Sequence, residues 1–249
     1  EEIVRRCGCP IKDLIKEKCR KVLEWKYKLG VMNPKHEPKP LSKKQKEEIG
    51  KHCEVIAPKI LTLLENKDNI IPINKKDTNQ IIFVNLDNKD YSHFLKQAKK
   101  YKEIIPYSFE KKSLNEDLEK LLNVLDSSKT VIIAASGGVN SKKTDNYGIS
   151  KQSLELLSSI QETKAKNILL LFANPYSLES LDTICDYNAL IVAYQNTSQL
   201  QTAVANSLFT PHKFTASLPV DASQTYKASP DFAIELPKEE PSRFSKIDS

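Results

Sequence analysis

The sequence predicts an α/β fold, a mostly parallel sheet of five to six strands with helices on both faces, preceded by a helical segment. Three observations carry this. Short continuous apolar runs recur at "IIFVNL" (81–86), "TVIIAAS" (130–136), "NILLLFA" (167–173) and "ALIVAY" (189–194), the mark of strands buried on both faces. Stretches of helical period separate them, so strand and helix alternate. Capping and turn residues fall at the junctions. Alternation of this kind requires crossover connections and mostly parallel pairing. The architecture implied is Rossmann-like or flavodoxin-like.

The elements follow in order. In "IKDLIKEKCRKVLEWKYKLG" (11–30) the residues Ile11, Leu14, Ile15, Cys19, Val22, Leu23, Trp25 and Leu29 keep helical spacing, and Gly30 is a natural stop. "VMNPKHEPKPLS" carries three prolines within seven residues and reads as an extended linker. A second helix is expected from Lys43 to about Asn66, with a break or kink near Pro58. After the strand at 81–86 comes a helix at 91–101, then a weaker strand at 104–109 whose Pro106 suggests an edge. A helix at 113–125 opens on a capping box, Ser113 with Glu116. Beyond the strand at 130–136, Ser150 caps a helix running to 161. The strand at 167–173 leads into a short helix at 177–184, the strand at 189–194 into a helix at 198–209. "ASLPV" (216–220) precedes a polar tail. The division expected is a helical segment over 1–79, the α/β domain over 80–221 and a linker or tail over 222–249.

Composition narrows the function classes. Apolar residues are 39% of the 249 and charged residues 28%, ordinary for a globular chain able to bury a core. No apolar run is long enough to span a membrane, and the opening "EEIVRRCGCPIKDLIKEKC" has no signal-peptide core. The net charge of +6 comes mostly from scattered lysines; the densest run, 35–52, is broken by glutamates and prolines and holds no aromatics, so a solvated helix and linker is favoured and nucleic acid is not expected as a partner. The five cysteines and four histidines lack zinc-ligand spacing, and an odd cysteine count argues against a disulfide framework. No metal or other cofactor is expected.

In a parallel sheet, ligands bind beyond the carboxyl ends of the strands. After the strand at 81–86 lie Asp87 and Asp90, which could hold Mg²⁺ for a phosphoryl enzyme but are read more simply as helix caps. After the strand at 130–136 comes "SGGVNSKKTDNYG" (136–148), the longest loop of the core. Gly137 and Gly138 permit close backbone approach, but the pair is not a phosphate-binding fingerprint. Ser136 as a nucleophile would need a histidine base, from His52, His93 or His212, none of which lies in a recognisable motif. After the next strands come Asn174–Pro175–Tyr176 and "YQNTS" with Asn196. The loop residues singled out as facing a ligand or a neighbouring domain are Ser136, Gly137, Gly138, Asp145, Asn174, Tyr176 and Asn196. No catalytic residue stands out.

Four pieces occur in order: "KCRKVLEWKYKLGV" (18–31), "LLENKDNIIPI" (63–73), "ILLLFANPYSL" (168–178), and "ALIVAYQNTSQLQTAVANSLF" (189–209) followed by "SLPV" (217–220). Together they resemble the end of the catalytic barrel and the following C-terminal α/β domain of family 3 glycoside hydrolases of the β-N-acetylglucosaminidase type. The chain departs from the family at Thr210–Pro211–His212–Lys213, where glycines are usual. The resemblance implies that the catalytic aspartate and the Asp–His pair belong to a barrel that this chain does not contain. In the β-glucosidase branch a glutamate arrives from the loop equivalent to 136–148; here Asp145 is the only carboxylate of that loop. Retaining hydrolysis needs two carboxyl groups about 5 Å apart, which this chain does not supply.

The function expected is therefore a non-catalytic α/β domain of a multidomain hydrolase with β-N-acetylhexosaminidase activity, packed against and supporting the barrel of the same parent chain. The alternative is a stand-alone Rossmann-like binding module for a small ligand or protein partner. The tail at 235–249 is similar to the lead-in of β-lactamase-like serine hydrolase domains, which makes such a domain an expected downstream neighbour. The resemblance favours an extracytoplasmic, periplasmic location. Further expectations are an exposed apolar face on the 11–29 helix, through which the chain could form a homodimer, and a structural role for Asn174–Pro175 as a corner of the fold.

Overall fold

The computed structural model describes residues 11–32, 40–108, 114–138, 142–182, 184 and 186–228. Contacts divide the chain into two compact units, Glu1–Glu47 and Glu48–Ser249. In the first unit, α1 (Ile11–Lys28) ends as its sequence requires: Gly30 takes φ 71°, and the Leu29 and Gly30 N–H groups close back on the carbonyls of Trp25 and Tyr27. Its apolar side chains Ile15, Val22, Leu23 and Trp25 are exposed, Trp25 to 63%. Helix α2 (Lys43–Ile60) runs across the division, its start capped by Ser42, whose hydroxyl accepts the Gln45 N–H.

Two expectations about this region are corrected. Pro58 does not break α2, which runs through it and ends two residues later, at Ile60. Residues 62–66 are not the end of the helix but strand β1 (Thr62–Asn66). A short apolar stretch such as "LTLLEN" has no decisive period, and the open edge of the sheet selects the extended form. The Asn66 side chain then brackets Ile71, accepting its N–H and donating to its C=O, both at 3.0 Å.

The second unit contains a six-stranded sheet. Its remaining strands are β2 (Gln80–Asn85), β3 (Ile104–Ser108), β4 (Lys129–Ser136), β5 (Lys166–Phe172) and β6 (Ala189–Val192), and the spatial order is β1-β6-β5-β4-β2-β3. All pairings are parallel except β1 with β6. The α/β class, the mostly parallel sheet and the edge position of the proline-bearing β3 all agree with the sequence reading. Without β1 the order is that of a flavodoxin-like sheet, with the switch point between β2 and β4.

Alternation along the strands feeds two cores. Ile81 and Phe83 of β2 pack with Phe94 and Ala98 of α3 (Ser92–Ala98) and Leu200, Val204 and Leu208 of α7 (Ser198–Phe209). Ile82 and Val84 point the other way, toward Leu121 of α4 (Leu114–Val124), Leu157 and Ile160 of α5 (Lys151–Gln161), and Leu178 and Leu181 of α6 (Leu178–Leu181). Helices therefore cover both faces. Ser150 caps α5 as expected, accepting the Ser153 N–H at 3.0 Å. Ser113 of the expected Ser113–Glu116 capping box lies outside the described residues. After α7 the chain crosses the second face, where Leu218, Ala222 and Tyr226 are buried and the Asp182 carboxylate accepts from Ser223 Oγ and from the N–H groups of Gln224 and Thr225. Among the described residues no helix is long and apolar enough to cross a membrane.

Candidate functional site

The carboxyl ends of β4, β5 and β6 open onto a cleft of about 410 Å³, lined by Gly137 and Gly138, by Phe172–Pro175, and by Tyr194–Thr197. Each wall follows from local sequence. Gly137 is required by space: a Cβ there would stand 2.4 Å from the Tyr147 carbonyl oxygen and 2.8 Å from the Ala173 Cβ. That close approach seats the turn 143–148, in which Asn146 and Tyr147 adopt φ of 47° and 54°. The Tyr147 ring stacks beside Tyr176 with centroids 6.1 Å apart. A Lys143–Glu179 ion pair at 2.8 Å and a Ser180-to-Asn146 hydrogen bond at 3.2 Å fix the turn to the start of α6.

The second wall is the Asn174–Pro175–Tyr176 corner. Asn174 Oδ1 accepts the Tyr176 N–H at 3.1 Å, and the Asn174 carbonyl accepts from Ser177. Pro175 opens the 3₁₀ turn 175–177, where its missing donor is harmless. The corner is thus an Asx-type turn that stops a buried strand. In the third wall, Tyr194 has φ 64° and its hydroxyl meets Thr62 Oγ1 at 2.7 Å. Burial pushes that phenol's pKa up. Thr197 caps α7 through Leu200 N, and Asn196 accepts from Gln201 Nε2 at 2.6 Å. Left-handed backbone in non-glycine residues is strained and tends to gather at functional sites; here Tyr194 lines the cleft, while Asn146 and Tyr147 lie in the turn packed against Gly137.

Of the residues singled out from sequence, the structure brings Gly137, Gly138, Asn174 and Asn196 into the cleft lining. Ser136, Asp145 and Tyr176 are not part of that lining. Asp145 is exposed in the 143–148 turn, and Tyr176 is 40% exposed beside it. Ser136 is buried, 3% exposed, and its Oγ lies 2.5 Å from the Tyr91 hydroxyl. The Tyr91 hydroxyl donates to Asp87 Oδ1 at 3.3 Å, and Asp87 Oδ2 accepts the Ser136 N–H at 2.6 Å. Sequence reasoning missed this triad, because Asp87, Tyr91 and Ser136 meet only across the switch point.

The triad also corrects the reading of the two aspartates. Asp90 acts as the cap-like residue, accepting the Ser92 N–H at 2.8 Å. Asp87 does not; it ties the loop after β2 to the end of β4. Burial raises the Asp87 pKa, and burial together with the charge of Asp87 raises that of Tyr91. A phenol so disposed is a poor base, and a sealed hydroxyl is a poor nucleophile. None of His52, His93 and His212 is hydrogen-bonded to Ser136; His93 and His212 instead line a groove along α7 with Glu54. Among the described residues the β4–β6 cleft is lined by amides, hydroxyls and aromatic rings, and by no carboxylate or cation.

No protein-family model matches the sequence, and no curated protein matches it. Solved structures do resemble the fold. A fungal multi-domain GH3 β-N-acetylglucosaminidase, described as having a GCN5-related glucosamine N-acetyltransferase region, superposes with a TM-score of 0.56 at 16% identity, over 76% of this chain and 21% of that one. A glycoside hydrolase family 3 β-N-acetylglucosaminidase from a Paenibacillus species does so with a TM-score of 0.56 at 14% identity, over 84% of this chain and 39% of that one. This chain thus spans well under half the length of either enzyme. The likeness to family 3 glycoside hydrolases expected from the four sequence pieces is met at the level of the fold.

Proposed function

We propose that this chain is the C-terminal α/β domain of a multidomain family 3 glycoside hydrolase, with β-N-acetylhexosaminidase activity in the parent protein. In this reading it is not catalytic itself. It docks on the catalytic barrel and supports it, with the β4–β6 cleft and the 142–148 turn toward the barrel. The observation that carries the reading is the agreement of two independent likenesses. The four ordered sequence pieces and the fold lead to the same enzymes, and in both cases only part of those enzymes is matched. The absence of charge among the described residues of the cleft lining is in keeping with a supporting role, since glycoside hydrolysis by paired carboxylates needs two such groups about 5 Å apart.

Assays of this chain alone and of a parent protein carrying a barrel test the proposal. Aryl β-N-acetylglucosaminides should be turned over by the parent and not by the chain alone. Deleting the domain from the parent should lower the barrel's melting temperature. Turnover that copurifies with the isolated chain, or a barrel indifferent to the deletion, would refute it.

A second reading, a stand-alone binding module, is favoured by the cleft itself, which is formed within this chain. It requires that a small neutral ligand raise the melting temperature of the isolated chain, and that Asn174→Ala abolish the effect.

A further inference from the structure

The groove along α7 is a second concavity, separate from the β4–β6 cleft, with a volume of about 360 Å³. The last two turns of α2 give it Glu54 and Pro58, α3 gives His93, and the turn after α7 gives His212. Its floor is one face of α7, where Gln199, Thr202, Ala203, Asn206 and Thr210 recur at helical spacing. From Ser198 to Thr210 the helix rises about 18 Å, so the groove is elongated. Thr210 and His212 belong to the 210–213 turn, where this sequence departs from the enzymes it resembles.

The hydrogen bonds already made decide what this floor offers. Thr202 donates its hydroxyl proton to the Ser198 carbonyl at 2.9 Å, and Thr210 to that of Asn206 at 2.8 Å. Ser198 Oγ donates to Gln199 Oε1 at 3.0 Å. These three oxygens keep lone pairs and act as acceptors. Asn206 Oδ1 accepts from Gln97 Nε2 at 2.6 Å and from the Tyr101 hydroxyl at 2.8 Å, which sets the orientation of the amide and leaves its NH₂ as the remaining donor. The Gln199 NH₂ is a donor in the same way. Acceptors and amide donors thus interleave along one face. One atom of the lining also lacks a partner: His212 Nε2 is buried and makes no hydrogen bond among the described residues, while its ring stands edge-on to Phe214 with centroids 4.6 Å apart. A buried polar atom left unpaired is uncommon and points to a missing partner.

We propose that this groove binds a short neutral saccharide. A sugar hydroxyl donates and accepts at once, so a row of hydroxyls meets the interleaved acceptors and donors of α7 and reaches His212 Nε2 in either of its tautomers. An anion offers acceptors alone, and Glu54, the one carboxylate of the lining among the described residues, opposes it. Pro58 and Ala203 supply the small apolar contacts that the C–H faces of a sugar ring need. A peptide strand fits less well, because recognition of one draws on pockets for its side chains and the lining holds no large apolar residue. The groove lies outside the cleft and needs no barrel, so saccharide binding here stands or falls separately from the proposed docking role.

Titration of the full chain with tri-N-acetylchitotriose, cellotriose and maltotriose, followed by NMR, tests this. At least one of the three should shift the Thr202 and Thr210 amides, the side-chain amides of Gln199 and Asn206 and the His212 ring signals, saturably and at millimolar concentration or below, while Gly137 and Gly138 stay in place. Thr202→Val keeps the shape of the side chain and removes its hydroxyl; it should weaken the binding several-fold, and Thr202→Val with Gln199→Ala more than tenfold, at unchanged melting temperature. The proposal is overturned if none of the three gives a saturable shift, if the shifts fall on the cleft instead, if a triserine peptide or sulfate moves the same signals as strongly, or if the double variant folds and binds like wild type. Should the double variant not fold, Thr202→Val decides alone.

Discussion

Along β4 and β5, residues Val131–Ala135 and Ile168–Ala173 are at most 2% exposed, whereas along α1 Ile15, Val22, Leu23, Trp25 and Leu29 are 50–63% exposed. Nearly every large apolar side chain left exposed among the described residues lies between Ile15 and Ile60, the exceptions being Ile105, Val124 and Tyr176. Both regions obey their local periodicity. The difference is that the sheet meets its covering helices within its own unit, whereas α1 finds no such cover among the described residues of its own; in α2 the buried residue is Ala57. An apolar patch of that kind marks an interaction surface, and the proposed barrel would supply the missing neighbour.

Paired substitutions in the two regions can break this contrast. The largest effect is expected at Leu170, fully buried in β5 between both neighbouring strands. Leu170→Ala should cost about 2–5 kcal/mol, the lost transfer energy plus a cavity, read from urea unfolding of the isolated chain. A loss below about 1 kcal/mol, the typical cost of a surface or turn substitution, would mean that the sheet core is not the cooperative unit. Asn174→Ala should follow at about 1 kcal/mol, since it removes the acceptor of the Tyr176 N–H at a corner open to water. In a parent enzyme, kcat should then stay within a few-fold. A hundredfold drop at unchanged stability, about 2.7 kcal/mol of transition-state stabilisation, would turn the corner into a substrate contact. The smallest effect is expected at Trp25. Trp25→Ala should leave the isolated chain within about 0.5 kcal/mol while weakening attachment to a barrel, or self-association if copies of the chain cover one another's helices. Sedimentation before and after the substitution separates these outcomes, and a large loss of stability in dilute monomer would show that α1 packs within its own chain.

Much of this architecture was legible in the residues. Continuous apolar runs disclosed the buried parallel strands, because burial on both faces leaves no room for polar alternation. Ser150, Gly30 and Asn174–Pro175 announced their caps and corner, because those depend on neighbours two to four residues away. Strand β1 was hidden: "TLLEN" fits a helix end or a strand, and pairing with β6, more than a hundred residues later, made the choice. For the candidate site, Gly137, Gly138, Asn174 and Asn196 could be placed on the correct end of the sheet from sequence, since strand ends are local and the binding edge of a parallel sheet is general. The space that makes Gly137 obligatory is set by Tyr147 and Ala173 together, and no local pattern encodes it. The same holds for Asp87. Read locally it is a helix cap; in the fold it reaches Ser136, because the chain runs out to β3 and returns to place β4 beside β2. Local spacing and polarity are written in the sequence itself, whereas which groups lose water together is decided only when distant strands become neighbours.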